Sequence, residues 1–108
     1  MRQYSTPQLK FQIKGSDLDT VLGGTCYLSF GKLDDTTNTF THLFDADYEV
    51  ENVNGRTFIK TTLTQAQTGQ FAPNTNAWVQ FRSKNGDKSV VTSAVPVRVL
   101  PTIKAEVV

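Results

Sequence analysis

Asn54-Gly55 stands between two runs that alternate apolar and polar residues, "YEVENV" and "RTFIKTTL". Both central residues of a type I′ turn need positive φ, which Asn and Gly tolerate, so this dipeptide between such runs specifies a β-hairpin. A two-residue turn fixes the register: Val53 opposes Arg56, Val50 opposes Ile59 and Glu49 opposes Lys60. One face then pairs apolar residues and the other pairs opposite charges. A slip by one residue would lose both at once, because the side-chain period of a strand is two.

The remaining chain keeps this rhythm, with short alternating runs broken by Gly, Asn, Asp and Pro. "LKFQIK" sets Leu9, Phe11 and Ile13 on one face, and "TCYLSF" does so with Cys26, Leu28 and Phe30. "GSDLDTVLGG" connects these two runs, and "GKLDDTTN" reads as a turn. "TFTHLF" aligns Phe40, His42 and Phe44 against Thr41 and Leu43, which makes His42 a half-buried strand residue. A second hairpin around Asn85-Gly86 places Phe81 opposite Val90 and Ala77 opposite Ala94. Its inner face holds Ala77, Val79, Phe81 and Thr92; its outer face holds Trp78, Gln80 and Arg82 beside Val91 and Ser93. A last strand, with Val97 and Val99 inward, lies between Pro96 and Pro101, since proline suits strand ends and edges. The expectation is an all-β, antiparallel, immunoglobulin-like (Greek-key) β-sandwich of about 7–8 strands. It occupies residues 8–103, after a flexible N-terminal arm (1–7) and before a C-terminal tail (104–108).

Only "LTQAQTGQF", Leu63 to Phe71, interrupts the alternation. Thr64 and Gln67 have the spacing of a capping box, and Gly69 could end one short helical turn in the left-handed conformation. Leu63 and Phe71 would anchor its ends in the core. The stretch reads as a corner between the two sheets, as at the E–F corner of immunoglobulin-like domains.

The composition argues against several classes of function. Eleven basic and ten acidic residues leave a net charge of +1, a poor basis for phosphate contacts, so no nucleic-acid partner is expected. No apolar run approaches a membrane span, and "MRQYSTPQLK" has no apolar stretch of the kind a signal peptide needs. One Cys and one His cannot supply a zinc site, and the single cysteine cannot form an intramolecular disulfide. Cys26 reads as a small core residue, and nothing supports pairing it with His42 as a nucleophile. The acid pairs Asp17/Asp19, Asp34/Asp35 and Asp45/Asp47 lack calcium-loop spacing and suit turns. No phosphate loop, dinucleotide fingerprint or serine elbow is present. Hence no catalytic residue, metal ligand or cofactor is expected, and the chain reads as a non-enzyme.

Trp78 carries two readings. With Gln80 and Arg82 it can form an exposed interaction face, since Trp and Arg are enriched at binding hot spots and a flat ring can stack on a sugar. Alternatively it sits under a loop or the N-terminal arm.

"YSTPQLKFQIKGSDLD", "YLSFGKLD", "TTLTQAQTGQF", "WVQFRSKNG" and "VPVRVL" together resemble a group of small proteins encoded in prophages of Gram-positive bacteria. The resemblance spans nearly the whole chain, apart from the longer "LPTIKAEVV" tail, and its motifs are structural. It implies a phage structural or accessory protein, virion-associated in tail, baseplate or head decoration. Its partners would be other phage structural proteins or further copies of itself. It would reside in the bacterial cytoplasm before assembly and in the virion afterwards. A carbohydrate-binding module with Trp78 as its platform stands as the alternative.

Overall fold

The computed structural model describes residues 1–13 and 23–108. Within them eight strands and one short helix succeed one another. The strands are β1 (Gln8–Ile13), β2 (Thr25–Asp34), β3 (Thr39–Ala46), β4 (Glu49–Val53) and β5 (Arg56–Thr62). Helix α1 (Gln65–Thr68) follows, then β6 (Asn76–Asn85), β7 (Lys88–Val91) and β8 (Val95–Arg98). The smaller sheet has the order β1-β5-β4; the larger runs β3-β2-β6-β7, with β8 also on β6. This is the immunoglobulin-like Greek key, with β1, β5 and β4 in the places of strands B, E and D, and β3, β2, β6 and β7/β8 in those of C′, C, F and G. Most of the loop expected between β1 and β2, with the Asp17/Asp19 pair, lies outside the described residues.

The Asn54-Gly55 hairpin has the register its sequence specifies, from Val53 opposite Arg56 to Glu49 opposite Lys60. Asn54 and Gly55 have φ of 51° and 75°, as a type I′ turn requires. The ion pair differs from the expected one. Lys60 reaches diagonally to Glu51 at 3.2 Å, and Glu51 also takes Lys10 of β1 at 3.5 Å. Lys10 in turn lies 4.5 Å from the centre of the Phe58 ring. The outer face of the smaller sheet is therefore a charged, cross-strand lattice.

The second hairpin is displaced by two residues from its expected register. Asn85 pairs with Lys88, so Gly86 and Asp87 are the central residues of the turn. Gly86, with φ of 61°, takes the first central position, as in a type II′ turn. A shift by two preserves which residues face inward, and Ala77, Val79 and Phe81 are all buried. It does change the partners: Val90 opposes Ser83, while Phe81 meets Thr92. The Thr92 hydroxyl accepts from the Phe81 amide at 3.0 Å in place of a backbone carbonyl, and the chain leaves the ladder there. Pairing resumes in β8 with Ala77 opposite Val97, not Ala94, and Pro96 opposite Trp78. Val97 and Val99 face inward as expected.

Helix α1 begins with the complete capping box. Thr64 Oγ1 accepts from the Gln67 amide at 3.1 Å, and Gln67 Oε1 accepts from the Thr64 amide at 2.9 Å. Leu63 and Phe71 are buried on either side. Phe71 packs edge-on to Phe44, which stacks on Phe30 at 5.1 Å, so the corner is tied into the centre of the core. Gly69 has φ of −69°, not the expected left-handed value. Its lack of a side chain serves a close approach instead: a Cβ there would run into the Tyr4 ring.

Residues 1–7, expected as an arm, lie along this corner. The fully buried Thr68 donates its hydroxyl to the Ser5 carbonyl at 2.8 Å, and Gln3 Nε2 donates to the Phe71 carbonyl at 3.0 Å. The Gln3 amide also donates to the Leu100 carbonyl at 2.9 Å. We therefore expect Gly69→Ala to destabilise the domain by about 1–3 kcal/mol through overpacking against Tyr4. In a Tyr4→Ala background the same change should be neutral or stabilising, by up to about 1 kcal/mol, because φ there suits any residue. Urea midpoints of the four proteins in this double-mutant cycle measure the coupling, and additive effects would contradict the contact.

Candidate functional site

The larger sheet turns an aromatic outer face to solvent. Trp78 projects from it between Ala77 and Val79, both buried, and its ring meets Phe40 edge-on at 5.5 Å. Trp78 is half-buried and Phe40 is 55% exposed. Gln80, the next outward residue of β6, donates its amide to the Thr92 carbonyl at 2.9 Å. Arg82 lies one step further, exposed, between Tyr27 and Val91 in the register, with Nε 3.4 Å from Ser89 Oγ. Of the three outward residues expected to form a face, Trp78 and Gln80 line one cleft and Arg82 lies outside it.

That cleft, about 160 Å³, is bordered by the touching rings of Phe40 and Trp78, with Ser29, Gly31, His42 and Gln80 around it. It depends on an irregularity that alternation conceals. Phe30 pairs with Phe44 but Gly31 pairs with His42, so Leu43 is the extra residue of a β-bulge. Residues on the two sides of a bulge change phase. Phe44 and Ala46 therefore pack inward while Phe40 and His42 emerge outward. The expectation that Phe40, His42 and Phe44 share a face is corrected, and His42 is exposed rather than half-buried. A Cβ on Gly31 would lie 2.5 Å from the Thr41 carbonyl oxygen, so the bulged strand presses onto a position that only glycine leaves open.

The bulge also creates a polar cluster. Three residues apart on a regular strand, His42 and Asp45 would point to opposite faces. Here His42 Nε2 lies 2.9 Å from Asp45 Oδ1, and Ser29 donates its hydroxyl to the same oxygen at 2.6 Å. The Ser29 hydrogen bond above all, then that of His42, holds the Asp45 carboxyl below its ordinary value. The cluster contains the residue types of a hydrolase triad in the wrong order. The carboxylate sits between Ser and His, so the imidazole does not reach the hydroxyl to activate it. Cys26 lies on the opposite, inner face of the same sheet, which separates it from His42.

Among the described residues no three His, Cys, Asp or Glu side chains converge as a metal site, and no helix is long and apolar enough to cross a membrane. Asp34 acts in its turn, accepting from the Thr36 amide at 2.9 Å. Sequence reasoning did not place Phe40, Ser29 and His42 around the cleft with Trp78, nor Asp45 behind them, because the alternation of "TFTHLF" gives no sign of the bulge. No protein-family model, curated protein or solved structure matches the chain.

A depressed carboxyl stabilises the fold above its unfolded value, and that contribution disappears as pH falls through the folded value. The Asp45 side chain is 47% exposed, so its effect on stability should be small and confined to acid below about pH 4. Carboxyl-detected NMR should show Asp45 titrating below its ordinary value, and Ser29→Ala should raise it more than His42→Ala does. The reverse order would contradict the assigned cause. Gly31→Ala should cost about 1–3 kcal/mol, read from urea midpoints, because backbone rather than a flexible side chain must move. A wild-type midpoint would show that the bulge does not need glycine.

Proposed function

We propose that the chain is a non-enzymatic structural or accessory module of a phage particle, acting by binding through the outer face of its larger sheet. The phage setting is supported by the sequence resemblance. The binding surface is supported by one contrast: the outer face of the smaller sheet is a lattice of Lys10, Glu51 and Lys60, whereas that of the larger presents Tyr27, Phe40, Trp78 and Val91. Of these, Phe40 and Trp78 touch edge-on, and Phe40 is largely exposed, so the pair is not spent on holding the sandwich together. Exposed clusters of this kind mark sites of interaction, and aromatic side chains carry much of the binding energy at them.

The test uses the full chain, labelled, against two sets of targets: copies of itself and the products of neighbouring genes, and intact Gram-positive cell envelopes. Trp78→Lys and Phe40→Ser should each weaken the binding found by tenfold or more, the scale of a single hot-spot residue. Urea midpoints should stay close to the wild-type value. Wild-type binding by both variants would overturn this reading, as would loss of binding only in proportion to loss of folding.

A further inference from the structure

We infer that the cleft beside the Phe40–Trp78 pair is a seat for one pyranose ring of a glycan, whose neighbouring sugars continue across Trp78. This names the partner of the face proposed above and rests on that reading. A pyranose ring is amphipathic: its axial C–H bonds make an apolar face, and its rim of hydroxyls both donates and accepts hydrogen bonds. The cleft has the matching distribution. The Phe40 and Trp78 rings, in edge-to-face contact, together supply one apolar wall, and Gly31 lines the cleft beside them without a side chain. Ser29, His42 and Gln80 stand around them as hydrogen-bonding groups that can meet hydroxyls.

Size narrows the ligand further. At about 160 Å³ the cleft is well below the roughly 300–1,000 Å³ of sites that enclose drug-sized molecules, so it suits one ring rather than an extended buried ligand. Trp78 is also a wall of a second, more polar hollow of about 360 Å³, which includes Lys32, Asp35, Asn76 and Arg98. A ring in the cleft therefore has a path over the indole to further hydrogen-bonding groups, as a chain of sugars would need. The polar groups of the cleft are held in place before any ligand arrives. Asp45 fixes Ser29 and His42 through one oxygen, and Thr92 fixes Gln80. Preorganisation of this kind limits the entropy lost on binding. In this arrangement Asp45 is a positioning residue, while Phe40, Trp78, His42 and Gln80 meet the sugar.

Trp78 is the only tryptophan of the chain, so intrinsic fluorescence reports directly on the cleft. The probes are methyl glycosides of glucose, galactose, mannose and N-acetylglucosamine, followed by trisaccharides of the same sugars. At ordinary ligand efficiency a ring of about a dozen non-hydrogen atoms should bind with a roughly millimolar constant. At least one glycoside should give a saturable change in that range, and its trisaccharide should bind more tightly. His42→Ala and Gln80→Ala should each weaken binding by about three- to tenfold, the scale of one hydrogen bond, with circular dichroism and urea midpoints unchanged. Arg98→Ala should weaken the trisaccharide and leave the glycoside unaffected. No saturable change with any probe at about ten times the expected constant would overturn the sugar assignment, as would wild-type binding by both His42→Ala and Gln80→Ala. If Trp78→Lys nonetheless abolishes capture of a gene product or a second copy, the interaction reading stands and only the glycan falls. Glycoside binding accompanied by wild-type capture in Trp78→Lys gives the opposite result.

Discussion

A single extra residue in β3 decides what both sides of the larger sheet contain. Without Leu43 as a bulge, Phe40 and His42 would share the phase of Phe44 and point into the sandwich. The core would then have to absorb an imidazole beside stacked phenylalanines, and burying a polar ring without partners is costly. With the bulge, Phe44 stacks on Phe30 and meets Phe71 edge-on, while Phe40 reaches Trp78 across the outer face. Core packing and the candidate site are thus two results of one local irregularity. Gly31 enables it by yielding space to the Thr41 carbonyl.

The corner at Leu63–Phe71 performs a different task. Its helix is far too short to be stable alone, since helix nucleation outweighs what four residues return. Tertiary contacts maintain it: the capping box satisfies its first amides, Phe71 enters the aromatic core, and Thr68 holds the Ser5 carbonyl. The last of these joins sequence-distant segments at one place. The corner, the first residues of the chain and the strand end near Leu100 share hydrogen bonds, so loosening any one of them exposes donors and acceptors in the other two.

How far the sequence reveals this structure depends on how local the cause is. The Asn54-Gly55 register is fully legible, because turn chemistry and pairing on both faces agree on one alignment. Asn85-Gly86 offers the same dipeptide with less support. Glycine alone satisfies the tighter requirement of the turn adopted, which moves the central pair one residue along and the register by two. The capping box is read correctly from Thr64 and Gln67, but the role of Gly69 is not, since its cause is Tyr4, sixty-odd residues away in the sequence. The outward placement of Trp78 and Gln80 follows from alternation with Ala77 and Val79. Their neighbours Phe40 and His42 do not, because a bulge is a tertiary accommodation to which strand periodicity is blind.

The break between β7 and β8 bears on how the molecule behaves in a crowd. An uninterrupted edge strand offers a row of free amides and carbonyls on which another chain can extend the sheet, the first step towards aggregation. Here the edge beyond β6 is divided into two stubs of four residues, and Thr92 substitutes its hydroxyl for a ladder carbonyl. Pro96, within the second stub, has no amide hydrogen to offer. This margin of the sheet is therefore unsuited to templating its own kind, so the valines exposed along it can face water without recruiting further strands.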